Sequence, residues 1–148
     1  MKTVTTNLYQ YDELTDEAKE KVLEMLDDLN VCHDWWEFTY DDAKNIGLEI
    51  TSFDTYRGEI TGDLIETPGE VKKLVMKNHG KDCDTYKYVE QFDMRREVDE
   101  YEFKYGLLQE YLSILNKEYE YRTSQEAIEE NIRANEYEFT SSGSWPVL

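Results

Sequence analysis

Two cysteines and two histidines are the first residues in this chain whose types suggest chemistry. Cys32 and His33 are adjacent, and His79 precedes Cys83 by four positions. Two thiolates and two imidazoles make a tetrahedral zinc set. Adjacent ligands depart from the separated pairs of a zinc knuckle, and a buried thiol with two ordinary histidines explains them as well. A second set is Asp34, Glu37, Asp41 and Asp42. Helical spacing puts Asp34 or Glu37 on one face with Asp41, and divalent-metal nucleases use such carboxylates. Yet no basic groove accompanies them, and the chain contains neither a Gly-rich phosphate loop nor a G-x-S-x-G turn. The expectation is a binding protein, not an enzyme, with no cofactor and no metal.

The strongest signal is charge. Thirty-four carboxylates stand against sixteen Lys and Arg, a formal net charge of -18 over 148 residues. Such a surface repels nucleic acid and anionic membranes and attracts basic protein clefts. Residues 12–28 carry eight acids against two Lys, and residues 90–102 carry six acids against two Arg. Only residues 72–87 run basic, through Lys72, Lys73, Lys77, Lys81 and Lys87. A DNA-binding role for that segment is opposed by the overall charge. Carboxylates along a helix face can imitate the phosphate rhythm of DNA. The plain alternative is a solvated helix face, but self-repulsion of this size costs stability and suggests a compensating use. The candidate partner-binding residues are Asp16, Glu20, Glu24, Asp27 and Asp28 on the first helix. Glu97, Asp99, Glu100 and Glu102 form a second choice. Seven tyrosines between Tyr86 and Tyr121 add interface character, with half of them expected in the core.

These residues need elements to position them. Residues 2–11 alternate as a strand. Thr15 caps a helix whose apolar positions run from Ala18 through Val22, Met25 and Leu26 to Leu29. Asp34 is expected to cap a helix over 35–46 that stops at Gly47. Residues 48–54 and 59–65 form a hairpin with its tip at Arg57-Gly58 and a bulge marked by Gly62. Thr67-Pro68-Gly69-Glu70 opens the next helix. A long helical stretch over 84–121 has its break expected near Gly106. Thr123 with Glu126 is expected to cap a helix through Ala134, and residues 136–140 make a last short strand. The fold class is α+β: a small antiparallel sheet of three or four strands covered by helices on one face. Residues 1–140 are expected to form a single domain, with 141–148 a flexible tail.

Composition supports folding, since twelve Tyr, five Phe and three Trp exceed what a disordered acidic chain carries. Two thiols do not make a secreted disulfide framework. Residues 1–7 lack a signal-peptide core, so an intracellular location is expected.

Several runs carry a resemblance. They are Leu14-Thr15-Asp16-Glu17-Ala18-Lys19-Glu20-Lys21, Asp34-Trp35-Trp36-Glu37 and Tyr40-Asp41-Asp42-Ala43-Lys44-Asn45-Ile46-Gly47. His79-Gly80, Cys83-Asp84-Thr85-Tyr86, residues 110–121 and Ala134-Asn135-Glu136-Tyr137-Glu138-Phe139-Thr140 extend it. Over most of residues 8–140 the chain resembles a family of small acidic proteins encoded by phages and prophages, some labelled antitoxin-like. The stretch around 90–106 is shorter than the family pattern. The resemblance implies, by analogy with small acidic phage inhibitors, an anti-CRISPR-type protein acting in the host cytoplasm. Its partner would be a host nucleic-acid-binding defence protein such as a CRISPR effector. The alternative is an antitoxin-like or adaptor protein with one cognate partner.

Overall fold

Local capping sets most of the helix starts. The Thr15 hydroxyl accepts from the Ala18 amide at 3.2 Å and opens α1, Asp16–Met25. Thr67 does the same for α3, Pro68–Asn78, accepting from Glu70 N at 3.3 Å. The computed structural model describes residues 2–3 and 5–146. Val4, Val147 and Leu148, which belong to the expected first strand and tail, lie outside the described residues. The remaining elements are β1 Tyr9–Gln10, α2 Glu37–Asn45, β2 Leu48–Asp54, β3 Glu59–Leu64, α4 Asp84–Glu90, α5 Glu100–Arg122, α6 Gln125–Ala134 and β4 Glu138–Phe139. The fold is mixed α+β. Among the described residues the strands form two separate antiparallel pairs, β1 with β4 and β2 with β3, rather than one sheet of three or four.

The chain divides into two compact units, one made of residues up to His33 and from Glu120 onward, the other of Asp34–Tyr119. In the first unit β1 is only two residues long, far shorter than the alternation over 2–11 suggests: its partner β4 pairs only two residues with it, and Tyr11–Glu13 turns into a 3₁₀ helix that buries Tyr11. Tyr9 pairs with Phe139 and Gln10 with Glu138. Tyr11, Leu14, Ala18, Val22 and Leu26 pack with Ile128, Ile132 and Phe139. Trp145 stacks on Phe139 at 5.0 Å, and Gly143 at φ +83° brings its backbone against the Ala18 carbonyl. Ser124, not Thr123, caps α6, its hydroxyl oxygen accepting from Ala127 N at 3.2 Å.

The second unit is built on the β2–β3 hairpin. A bulge falls between Ile50 and Ser52, opposite Gly62 and Thr61. Strict alternation would send Phe53 to the face away from Leu48 and Ile50. The extra residue, Thr51, shifts the phase by one, so Phe53 faces the same side opposite Ile60. Phe53 then meets Trp35, Trp36 and Tyr40 edge-on at 5.6–6.0 Å. The principal core joins Ala43, Ile46, Leu48, Ile50, Val71 and Val75 to Val89, Phe103, Leu107 and Tyr111. Gly47 takes φ +90° at the end of α2, as its place after Ile46 predicts. α2 itself begins at Glu37, two residues beyond the expected start, with Trp36 rather than Asp34 in the cap position.

The expected helix over 84–121 is interrupted at residues 91–99, not at Gly106. Gly106 lies within α5, and the Tyr88 ring covers it. The Tyr88 hydroxyl donates to the carbonyls of Glu102 at 3.1 Å and Phe103 at 3.2 Å. Burial first, then the charges of Glu102 and Glu110, push that hydroxyl up to about 12.

Candidate functional site

The two acidic groups fall in different units and in different local settings. Asp16, Glu20 and Glu24 follow the i, i+4 spacing of α1 and are all exposed. Asp27 and Asp28 are exposed too, but they sit in the turn after α1 and not on the helix, which ends at Met25. Like charges at i, i+4 oppose helix formation by a few tenths of a kcal/mol each. The neighbouring Lys19 is drawn to the Tyr11 ring, 5.6 Å from its centroid. Among the described residues none of these five carboxylates is in an ion pair. One cation of this unit is used elsewhere: Arg133 grips Asp12 with Nη2–Oδ1 2.9 Å and Nε–Oδ2 3.0 Å while stacking 5.5 Å from the Tyr11 ring.

In the second unit Glu97 lies in the loop before α5 and Asp99 caps the helix, its Oδ1 accepting from Glu102 N at 3.1 Å. Glu100 and Glu102 occupy the first turn of a 23-residue helix, where negative charge complements the helix dipole. All four are exposed. The loop is tied down by Lys72 Nζ, which donates to the Phe92 carbonyl, and by Arg95, which bonds Asp93 at 3.0 and 3.1 Å.

The spacing of the sequence did not reveal a polar chain through the second unit. His79 Nε2 donates to Asp42 Oδ2 at 2.9 Å, and its Nδ1 bonds the Thr85 hydroxyl. The Tyr111 hydroxyl donates to the same Asp42 oxygen at 2.9 Å. The His79 bond first, and the Tyr111 bond after it, hold the Asp42 carboxyl below its ordinary 3.8, although burial works the other way. Burial and the Asp42 charge push the Tyr111 hydroxyl far up. A hydroxyl–imidazole–carboxylate chain has the composition of a nucleophile relay. Here Thr85 is 2% exposed and Tyr111 fully buried, so neither hydroxyl reaches a substrate. The chain instead staples α2, the end of α3, α4 and α5 together. A signal for it existed in the inward phase of Tyr111 on α5 and in His79 at the end of a helix, but nothing local paired them.

The same bonds occupy one residue of each candidate metal set, His79 and Asp42. Both His79 nitrogens are engaged by protein groups. Asp42 is engaged by His79 and Tyr111 while its side chain stays 47% exposed, and Asp34, Glu37 and Asp41 are exposed as well. Among the described residues no three His, Cys, Asp or Glu are placed to hold a metal ion. Cys32 and Cys83 are free and exposed, not buried thiols.

Of the seven tyrosines, Tyr86 and Tyr111 are buried and Tyr88 partly so, while Tyr101, Tyr105, Tyr119 and Tyr121 are exposed. Among the described residues no helix is long and apolar enough to cross a membrane. No family model, curated protein or solved structure matches the chain.

Proposed function

We propose that this protein is a phage-encoded inhibitor of a host defence effector of the anti-CRISPR type, working in the host cytoplasm as an acidic mimic of nucleic acid. The observation that carries the reading is the exposed carboxylate series of Asp16, Glu20, Glu24, Asp27 and Asp28, free of ion pairs among the described residues. With Glu17, α1 carries four acids over about 15 Å of helix axis. One strand of duplex DNA carries a phosphate every ~3.4 Å, about four over the same length. A basic cleft shaped for phosphates would accept such a row and release counterions. Glu97, Asp99, Glu100 and Glu102 supply a second acidic face in the other unit.

The test is affinity capture from lysate containing defence effectors, with captured proteins identified, repeated with excess duplex DNA and at high salt. The reading expects a nucleic-acid-binding effector that DNA displaces. Neutralising Asp27 and Asp28 to Asn, together with Glu100 and Glu102 to Gln, should slow association and abolish inhibition. Inhibition that survives these changes would overturn it.

The second reading is an antitoxin-like or adaptor protein with one cognate partner. It is favoured by the exposure of Tyr101 and Tyr105, which supply contact area that needs no charge. Capture that withstands both DNA and high salt would select it.

A further inference from the structure

The start of α5 presents aromatic faces that its own fold does not use. Tyr101 is 70% exposed and Tyr105 is 55% exposed. Their rings stack at 6.3 Å with planes 15° apart. An i, i+4 aromatic pair stabilises a helix by only about 0.2–0.5 kcal/mol, which accounts for their mutual contact but not for two rings left in water. The acids beside them have local roles, since Asp99 caps α5 and Glu100 and Glu102 complement its dipole. The rings contact one another and, at Tyr101, a single lysine, and otherwise face water.

A cation already sits at this place. Lys104 Nζ lies 5.9 Å from the Tyr101 centroid and 3.6 Å from Asp63 Oδ1. An ammonium is thus held between an aromatic face and a carboxylate, the geometry that recognises a cationic side chain. An open cavity of about 310 Å³ lies there, lined by Asp63, Leu64, Glu100, Tyr101 and Lys104. Lys104 would yield this position to an incoming cation, since its ammonium is held by an ion pair to a carboxylate that is 78% exposed and therefore weak. The charge of the lining favours a basic occupant, since Asp63 and Glu100 both line the cavity beside the single charge of Lys104.

We propose that this face of α5, with Tyr101 and Tyr105 as platforms and Asp63, Glu100 and Glu102 as charge partners, docks an arginine-bearing segment of a partner protein. Arginine fits better than lysine because its planar guanidinium stacks on a ring while forking onto a carboxylate. The inference rests on the proposed role of the chain as a ligand for a basic protein, and it assigns that recognition a specific place and chemistry.

The experiment titrates the full-length, isotope-labelled protein with a short capped Arg-Gly-Arg peptide at low salt, followed by amide chemical shifts. Saturable shifts over residues 100–105 are expected, with the Lys-Gly-Lys peptide binding several-fold more weakly. Tyr101→Ala with Tyr105→Ala should weaken the arginine peptide about tenfold. Because both rings are exposed, the melting temperature of that variant should stay near the parent value, which separates loss of binding from loss of fold. Glu136→Gln with Glu138→Gln, which removes two exposed charges that are no part of the proposed face, should cost less affinity than the tyrosine variant. Equal losses from the two variants, or no loss from the tyrosine variant, would mean diffuse attraction; that overturns this docking face and leaves the acidic-ligand reading standing. No peptide binding at low salt would overturn this docking face, whereas the acidic-ligand reading stands or falls by the capture and inhibition experiment. Concentration-dependent shifts of the same amides without peptide would assign the face to a second copy of the chain and overturn the proposal.

Discussion

Gly106 lies inside α5, where glycine costs roughly 1 kcal/mol against alanine. A Cβ at that position would fall 2.0 Å from the Tyr88 hydroxyl and 2.4–2.5 Å from ring carbons. The ring cannot simply swing aside, because its hydroxyl is bonded to the Glu102 and Phe103 carbonyls. Gly106→Ala should therefore lower the urea midpoint in the parent protein despite its better helix propensity. In a Tyr88→Ala background the same change should stabilise by about 1 kcal/mol. Stabilisation in both backgrounds would show that the ring does not require the glycine. Asp42 offers a second case. Its folded carboxyl titrates below 3.8, so its contribution is fully present above the unfolded value and is lost as pH falls through the folded one. Asp42→Asn, which keeps the shape without the charge, should be less stable than the parent at neutral pH. The gap should narrow as pH falls below about 3.8. A gap in urea midpoint that is constant from pH 7 to pH 3 would remove the charge from the explanation.

At the scale of elements, the caps at Thr15 and Thr67 were legible, whereas Asp34 does not cap α2, which starts two residues later behind Trp36. Thr15 and Thr67 both accept from the amide three residues on. Thr123-Ser124 offered two hydroxyls, and the choice fell to Ser124 because the chain turns into the helix one residue later than the Thr123–Glu126 spacing suggests. Ser124→Ala should cost about 1 kcal/mol in urea unfolding, and Ser124→Asp should restore most of it. An unchanged midpoint in Ser124→Ala would take the capping role away from Ser124. The hairpin was legible as two strands and a turn, and Gly62 did point to a bulge. The extra residue stands on the other strand, at Thr51, where Gly62 lets the strands come close: a Cβ at Gly62 would lie 2.4 Å from the Glu49 carbonyl oxygen. The interruption at residues 91–99 was missed because no glycine or proline marks it. It depends on Phe92, Met94 and Val98 packing against the core, and helical spacing alone does not report that.

At the scale of the whole molecule, charge outweighs any single site. Thirty-four acids face sixteen Lys and Arg, and several of those cations are committed to internal partners, as Arg133 is to Asp12 and Lys72 to the Phe92 carbonyl. The surplus lies in water, where fields reach about 8 Å at physiological salt. Association with a basic partner through that surplus should therefore slow steeply as salt rises, whereas docking through Tyr101 and Tyr105 should retain part of its affinity. Composition and spacing by themselves determined the acidic surface, the caps at Thr15 and Thr67, the hairpin and the α+β class. Each of these rests on residues within a turn or a pleat of one another. Only the tertiary structure decided the pairing of strands into two sheets, the ring of Tyr88 over Gly106 and the Asp42–His79–Thr85–Tyr111 chain. Those contacts join residues up to 130 positions apart, as Tyr9 and Phe139 show, and they form only when packing of apolar faces brings distant elements into register.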